Sequence, residues 1–308
     1  MNYQYQSGSG QNHTEANDPA GWQWAVTPRL RGHLDASQQE APKADTLNGD
    51  GNVPNRQTQT HYRADAEYEI DGPWHVVAGA SRDQHASQFI TTDSTDSRSD
   101  SRDVGLRYDF ATGSWIKLSL RSADGSYQTL SEATDDRYQQ QEQELRLRWS
   151  LSSASNVDLY LAQLDRAHQH NSQLDFKGSN YGANASWEVS GRSTLVLGYG
   201  HALAVVLVPG PGWFTTQDSL SWGWNWQSSS RTQLRLRQAL QRLDYRSPSA
   251  AFNTDHQDSS HDTSLALVWT PGKQWQISTA LQQQAHGSDL PGQDYRNRVL
   301  SLTAQFSY

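Results

Sequence analysis

Cysteine is absent from the 308 residues. That excludes disulfides, thiolate metal sites and cysteine nucleophiles. Long hydrophobic runs are missing too. The longest, ALAVVLV at 202–208, stops at Pro-Gly-Pro-Gly, far short of the roughly 20 apolar residues a membrane helix needs. The opening stretch MNYQYQSGSGQNH has neither a basic start nor an apolar core, so it is not a secretory leader. Either a leader has been removed and Met1 added, or the chain is cytoplasmic. Excess charge of one sign is small, with 33 acidic against 25 basic residues and a net charge of −8, which argues against a nucleic-acid partner. Apolar residues make up only 34%, below the roughly 45–50% of ordinary globular domains. Helix signals are scarce.

What is present is aromatic residues and alternation. Twelve Trp and 13 Tyr are too many for a disordered chain. Apolar and polar residues alternate with period two along much of the sequence, the signature of a strand with one apolar face. THYRADAEYEI at 60–70 sets Tyr62, Ala64, Ala66, Tyr68 and Ile70 against Arg63, Asp65, Glu67 and Glu69. SWIKLSLR, ELRLRWSL and QLRLR repeat the pattern with Leu against Lys or Arg. The alternation rule marks about fourteen strands. Their spans are 21–35, 57–71, 73–84, 101–111, 113–122, 139–151, 155–166, 177–189, 192–204, 217–226, 230–244, 260–270, 274–285 and 296–308.

The connections alternate between short and long. Tight turns fall near Asp71-Gly72-Pro73, Thr112-Gly113, 152–154, Ser190-Gly191, 228–229 and 271–273, with turn chemistry. Long polar connections fall at 36–56, 85–100, 123–138, 167–176, 205–216, 245–259 and 286–295. That pattern predicts an all-β fold: a single transmembrane antiparallel up-and-down β-barrel with short periplasmic turns and long external loops. Residues 1–20 form an N-terminal periplasmic tail and 21–308 the barrel, in a bacterial outer membrane. An even strand count leaves both chain ends on the short-turn side. A barrel needs only half of each strand to be apolar, and its aromatics gather at the membrane interfaces, which accounts for the composition. A soluble sandwich gives no reason for the loop pattern, and a solenoid would need a fixed repeat period, which is absent.

The last strand, RNRVLSLTAQFSY at 296–308, carries Leu300, Leu302, Ala304, Phe306 and Tyr308 on one face. Leu300, Leu302, Phe306 and Tyr308 form the assembly strand expected to engage the barrel assembly machinery, and to close the barrel against 21–35. On the opposite face of other strands lie Arg29, Arg31, Arg63, Asp65, Glu67, Arg107, Asp109, Lys117, Arg121, Glu144, Arg146, Arg148, Arg235 and Arg237. An Arg or Lys facing lipid at midplane costs about 2–4 kcal/mol, so these residues are expected to line the lumen. They can brace it with ion pairs or select what passes. Arg suits carboxylates and phosphates. Tyr160, Trp213 and Phe214 are candidate platforms for a sugar chain.

Three segments resemble a known family. GLRYDFATGSWIKLSLRSADGSYQTL at 105–130, SLALVWTPGKQWQISTALQQQ at 264–284 and GSDLPGQDYRNRVLSLTAQFSY at 287–308 look like strand-turn-strand and terminal segments of the exosortase-B-associated, EpsL-like exopolysaccharide transporters, grouped with outer-membrane barrel porins. The likeness covers about two thirds of the chain, from about residue 100 onward. It implies a conduit in exopolysaccharide export or assembly, with outer-membrane lipids, polysaccharide and periplasmic export components as partners and no cofactor. Members are generally longer at the N-terminus and carry a leader, so this chain is expected to be a mature or truncated form. The family offers no catalytic residues to carry over.

Other chemistry is weakly signalled. His168 and His170 share a strand face but no third ligand is set by spacing, so two solvated histidines outweigh a metal site. TTDSTDSRSDSRD at 91–103 lacks the calcium-loop pattern and reads as a solvated loop. No GxSxG, HExxH or P-loop occurs. His201, Asp218 and Ser219 could serve a hydrolase at the rim, though no spacing joins them. No catalytic residue is expected, and a scaffold barrel with an occluded lumen is the other alternative to a conduit.

Overall fold

A computed structural model describes residues 4–6, 13–43, 55–87, 96–128, 137–170, 172, 175–206, 213–246, 255–272 and 274–306. They form one antiparallel sheet of sixteen strands in strict sequence order, without a crossover. The strands are β1 (Gln4–Gln6), β2 (His13–Thr27), β3 (Leu30–Lys43), β4 (Asn55–Asp71), β5 (Trp74–Ser87), β6 (Asp96–Asp109), β7 (Trp115–Gln128) and β8 (Arg137–Ser152). They continue as β9 (Ser155–His168), β10 (Phe176–Ser190), β11 (Ser193–Val206), β12 (Trp213–Ser229), β13 (Thr232–Arg246), β14 (His256–Trp269), β15 (Trp275–Ser288) and β16 (Tyr295–Phe306). No helix among the described residues is long and apolar enough to cross a membrane.

The strands exceed the expected spans because they run on past the apolar band. β6 begins at Asp96, so residues 96–103 are strand and not the solvated loop read from their composition. There Arg82 and Arg98 both bond to Asp100, at 2.5 and 3.0 Å, holding the extended hairpin together. Most of the expected long loops fall outside the described residues.

The first predicted strand, 21–35, is two strands. Pro28 and Arg29 form a two-residue turn between β2 and β3, with Pro where its fixed φ favours a turn. Thr27 Oγ1 accepts from the Leu30 amide at 3.0 Å. Three corrections follow. Arg29 sits in the turn and not on the charged face. The strand count rises from fourteen to sixteen. β2 enters from the long-connection end and takes in residues 13–20, in place of the expected tail. At the other tight turns backbone freedom matters twice: Gly72 and Gly113 hold φ of +51° and +81°, a region that favours glycine.

Period-two alternation gives the sheet two unlike faces. Directly opposed residues line the apolar face in two runs: Leu106, Leu118, Leu145, Leu161 and Tyr181 across β6 to β10, and Leu195, Trp224, Leu236, Leu265, Leu281 and Leu300 across β11 to β16. Leu118 is 56% exposed and Leu161 53%. Full burial would be the rule for such residues in a water-soluble core. An aromatic belt edges this face at the short-turn end. Trp74 meets Tyr108 edge-on at 4.8 Å, Trp224 stacks on Trp226 at 5.6 Å, and Trp275 lies 5.0 Å from Phe306. Rings of this kind favour the boundary between lipid and water.

The expected closing seam is not formed. β16 pairs only with β15, and β2 with β1 and β3, among the described residues. The seam is the one contact of a meander barrel that joins the sequence ends and not neighbours, so local turns do not enforce it. Leu300 and Leu302, each 73% exposed, owe that exposure to a neighbour on one side alone. Tyr308 lies outside the described residues.

Candidate functional site

The opposite face is polar, and every remaining member of the charged set lies on it. Three sets of bridges cross β3 to β9. Nearest the short turns, Glu67 on β4 accepts from Arg31 on β3 at 2.6 Å and from Arg107 on β6 at 2.5 and 2.8 Å. Arg107 also donates to Asp109 at 2.8 and 3.0 Å. His75, 6% exposed, stands between the two carboxylates, 3.2 Å from Glu67 Oε1 and 3.2 Å from Asp109 Oδ2. Around it Arg31 and Arg107 set two cations against the two anions Glu67 and Asp109. Such pairs are strong because they are charge-assisted and forked.

The second set spans β5 as well. Arg63 on β4 reaches Asp103 on β6 at 3.1 and 3.3 Å, and stands 3.7 Å from Asp65. The strand between them carries Gly79, where a Cβ would lie 2.8 Å from Arg63 Nη2 and 2.9 Å from Asp103 Oδ1. The glycine is the gap through which the bridge passes. Beside it Ser81, Ser101 and Arg121 form a chain, with 2.7 Å between the hydroxyls and 3.0 Å from Arg121 Nη2 to Ser101 Oγ. His33 Nδ1 meets Asp65 at 3.0 Å.

The third set lies on β7 to β9, level with the first, since Lys117 stands directly opposite Arg107. Lys117 and Arg146 flank Glu144, each at 3.8 Å. Arg148 pairs with Asp158 at 2.9 Å and covers Trp115. Tyr160 shares this face, as expected. A Cβ on Gly182 would stand 2.5 Å from its ring, so the ring lies flat across β10. The side chains of Trp213 and Phe214 lie outside the described residues.

From β10 onward charge thins out. The polar face there carries Gly182, Gly198, Gly200, Ser219, Ser221 and Gly223 in adjoining positions. Arg235 and Arg237, both exposed, project from β13 into this smooth sector. Arg235 donates to Gln233 at 2.9 Å. Neither has a carboxylate partner among the described residues.

The sequence reading missed Asp103, Asp158 and His75. Each has the right parity, but only register brings it to its partner. The rim triad is not assembled. His201 Nδ1 lies 2.8 Å from Asp218, yet Ser219 turns to the other face and bonds to the Gly200 carbonyl, because neighbours in a strand point oppositely. No group of three or more His, Asp or Glu able to hold a metal occurs among the described residues.

No protein-family model and no curated protein matches the chain. Solved structures do. The ferripyoverdine receptor of the Pseudomonas aeruginosa outer membrane aligns over 96% of this chain with a TM-score of 0.56 and 9% identity. The FrpB iron transporter of Neisseria meningitidis aligns over 94% with 0.57 and 8%, and the copper transporter OprC over 96% with 0.55 and 10%. The fold is that of an outer-membrane β-barrel. It accounts for the lipid-type face and the aromatic belt, and it sets the chain in the outer membrane. The chain spans 53–59% of the length of these three structures. At such identities the likeness concerns fold alone.

Proposed function

We propose that the barrel is a polar conduit through the outer membrane, serving exopolysaccharide export or assembly without catalysing a reaction. The observation that carries this reading is the division of the polar face. One sector, β3 to β9, is cross-braced by ion pairs. The other, β10 to β14, is smooth, small and carries Arg235 and Arg237 without carboxylate partners. Bracing keeps a wall rigid, and guanidinium groups without a carboxylate partner attract carboxylates and phosphates on a passing chain. The family likeness at 105–130, 264–284 and 287–308 supports polysaccharide as the cargo, and Tyr160 offers it a flat ring. The solved neighbours named for siderophores and metals support transport in general.

Conductance in planar bilayers tests the reading. Steady open current with anion preference is expected. Arg235→Ser combined with Arg237→Ser should reduce that preference. An acidic oligosaccharide should block current through the wild-type pore more than through the double variant. A silent barrel would instead favour a scaffold with an occluded lumen, for which the dense bracing of β3 to β9 also argues.

A further inference from the structure

On the apolar face, at the end away from the tight turns, an open groove of about 1030 Å³ crosses β2 to β7. Two rows of directly opposed residues build it. The lower row is Trp22, Leu34, Ala64, Ala80, Arg102 and Ser122. The upper row holds Ala36, Tyr62, Arg82, Asp100 and Asp124. Both rows run from an apolar end on β2 to β4 to a charged end on β5 to β7. Alanines leave the floor shallow, and Trp22 and Tyr62 stand up beside it.

The charged end is not self-satisfied. Asp100 takes both Arg82 and Arg98, at 2.5 and 3.0 Å. Arg102 is exposed and has no side-chain hydrogen bond or ion pair among the described residues. It sits on the lipid-type face next in line to Val104 and Leu106. Arg102 stands opposite Ser122, at the edge of the apolar band, where a cation costs little and can meet a lipid headgroup. Of the outward charges that line the groove, Arg82 and Asp100 satisfy each other, which leaves Arg102 as the guanidinium without a partner among the described residues. What touches this face of a membrane barrel is lipid, and the anion a lipid brings is phosphate, which a guanidinium fork pairs well.

We propose that the groove binds one phosphorylated membrane lipid whose headgroup is negatively charged overall. Its phosphate rests on Arg102 beside Arg82, and an acyl chain lies over Ala80 and Ala64 toward Leu34 and Trp22. The site is independent of what passes through the barrel and stands whether or not the pore conducts. The apolar half of the groove explains why the ligand is an amphiphile and not a free anion.

Native mass spectrometry on protein refolded with phosphatidylglycerol, then stripped with detergent, tests this. Wild-type barrel should retain one such lipid and not phosphatidylcholine. Arg102→Gln should weaken retention about tenfold, the usual scale for losing one charge-assisted bond. Arg102→Lys should lose less. Ala64→Trp, which fills the floor but keeps both arginines, should also release the lipid. Arg242→Gln, on the same face at β13, should change nothing, and heat-modifiable migration on gels identifies variants that fold. Equal retention by Arg102→Gln and wild type overturns the proposal. So does displacement by inorganic phosphate at matched concentration, which marks a free-anion site. Retention lost to EDTA but kept in Arg102→Gln also overturns it, since a divalent cation between Asp100 and Asp124 would then hold the lipid.

Discussion

Replacing Leu118 by Arg tests which face meets lipid. Leu118 is the middle of three successive outward residues on β7, between Ile116 and Leu120, with Ser122 beyond. It is directly opposed by Leu106 on one side and Leu145 on the other, and is 56% exposed. Neighbouring outward residues lie roughly 6.8 Å apart along a strand, so Leu118 is about that far from either end of the apolar stretch. No carboxylate faces it across either neighbouring strand. An Arg at midplane costs about 2–4 kcal/mol, which lowers the folded-to-unfolded ratio about thirtyfold to a thousandfold. Arg235→Leu is the matched reverse change. Arg235 projects from the polar face, is exposed and has no carboxylate partner, so its loss should cost under about 0.5 kcal/mol. Reversible urea titration in thin phospholipid vesicles, followed by Trp fluorescence and gel migration, measures both. Equal losses for the two variants would refute the assignment of faces, as would a Leu118→Arg barrel as stable as wild type.

Three further outcomes are expected. Arg107→Leu should destabilise by about 2–4 kcal/mol, because it leaves Glu67, 15% exposed at its side chain, with Arg31 as its one remaining guanidinium partner; a second change, Glu67→Gln, should recover part of that loss in the same urea assay. Cysteines placed at 88–95 and 129–136 should react with an impermeant maleimide on intact cells, and cysteines at 71–73 and 271–273 should not; labelling of the second set alone would invert the topology. Deleting Phe306 to Tyr308 should leave the protein degraded in the periplasm. The deletion removes Phe306 from its contact with Trp275 and shortens the edge of β16, whose outward N–H and C=O groups cost several kcal/mol each in lipid when unpaired. Normal outer-membrane levels of the truncated chain would refute a role for this strand in closure.

Strand parity was legible in the sequence because a strand repeats every two residues, so composition along ten residues assigns each side chain to a face. That is why Arg63, Arg107, Lys117 and Arg148 fall together, and why Leu106, Leu118 and Leu145 line up opposite them. The turn at Pro28-Arg29 was hidden by the same periodicity. Two residues are one full repeat, so a two-residue turn leaves the phase of Trp22, Trp24, Leu30 and Leu34 unbroken, and Pro28 was the single local signal. Partners were beyond reach of parity altogether. Whether Arg63 meets Asp65, two residues away, or Asp103, forty residues away, depends on the register of β4, β5 and β6 and on the gap at Gly79. Alternation therefore determined the faces, and with them the membrane-spanning class of fold. The tertiary structure decided the ion pairs, the separation of Ser219 from His201, and the outer groove at Arg102, because each needs strands distant in sequence to stand at one particular offset.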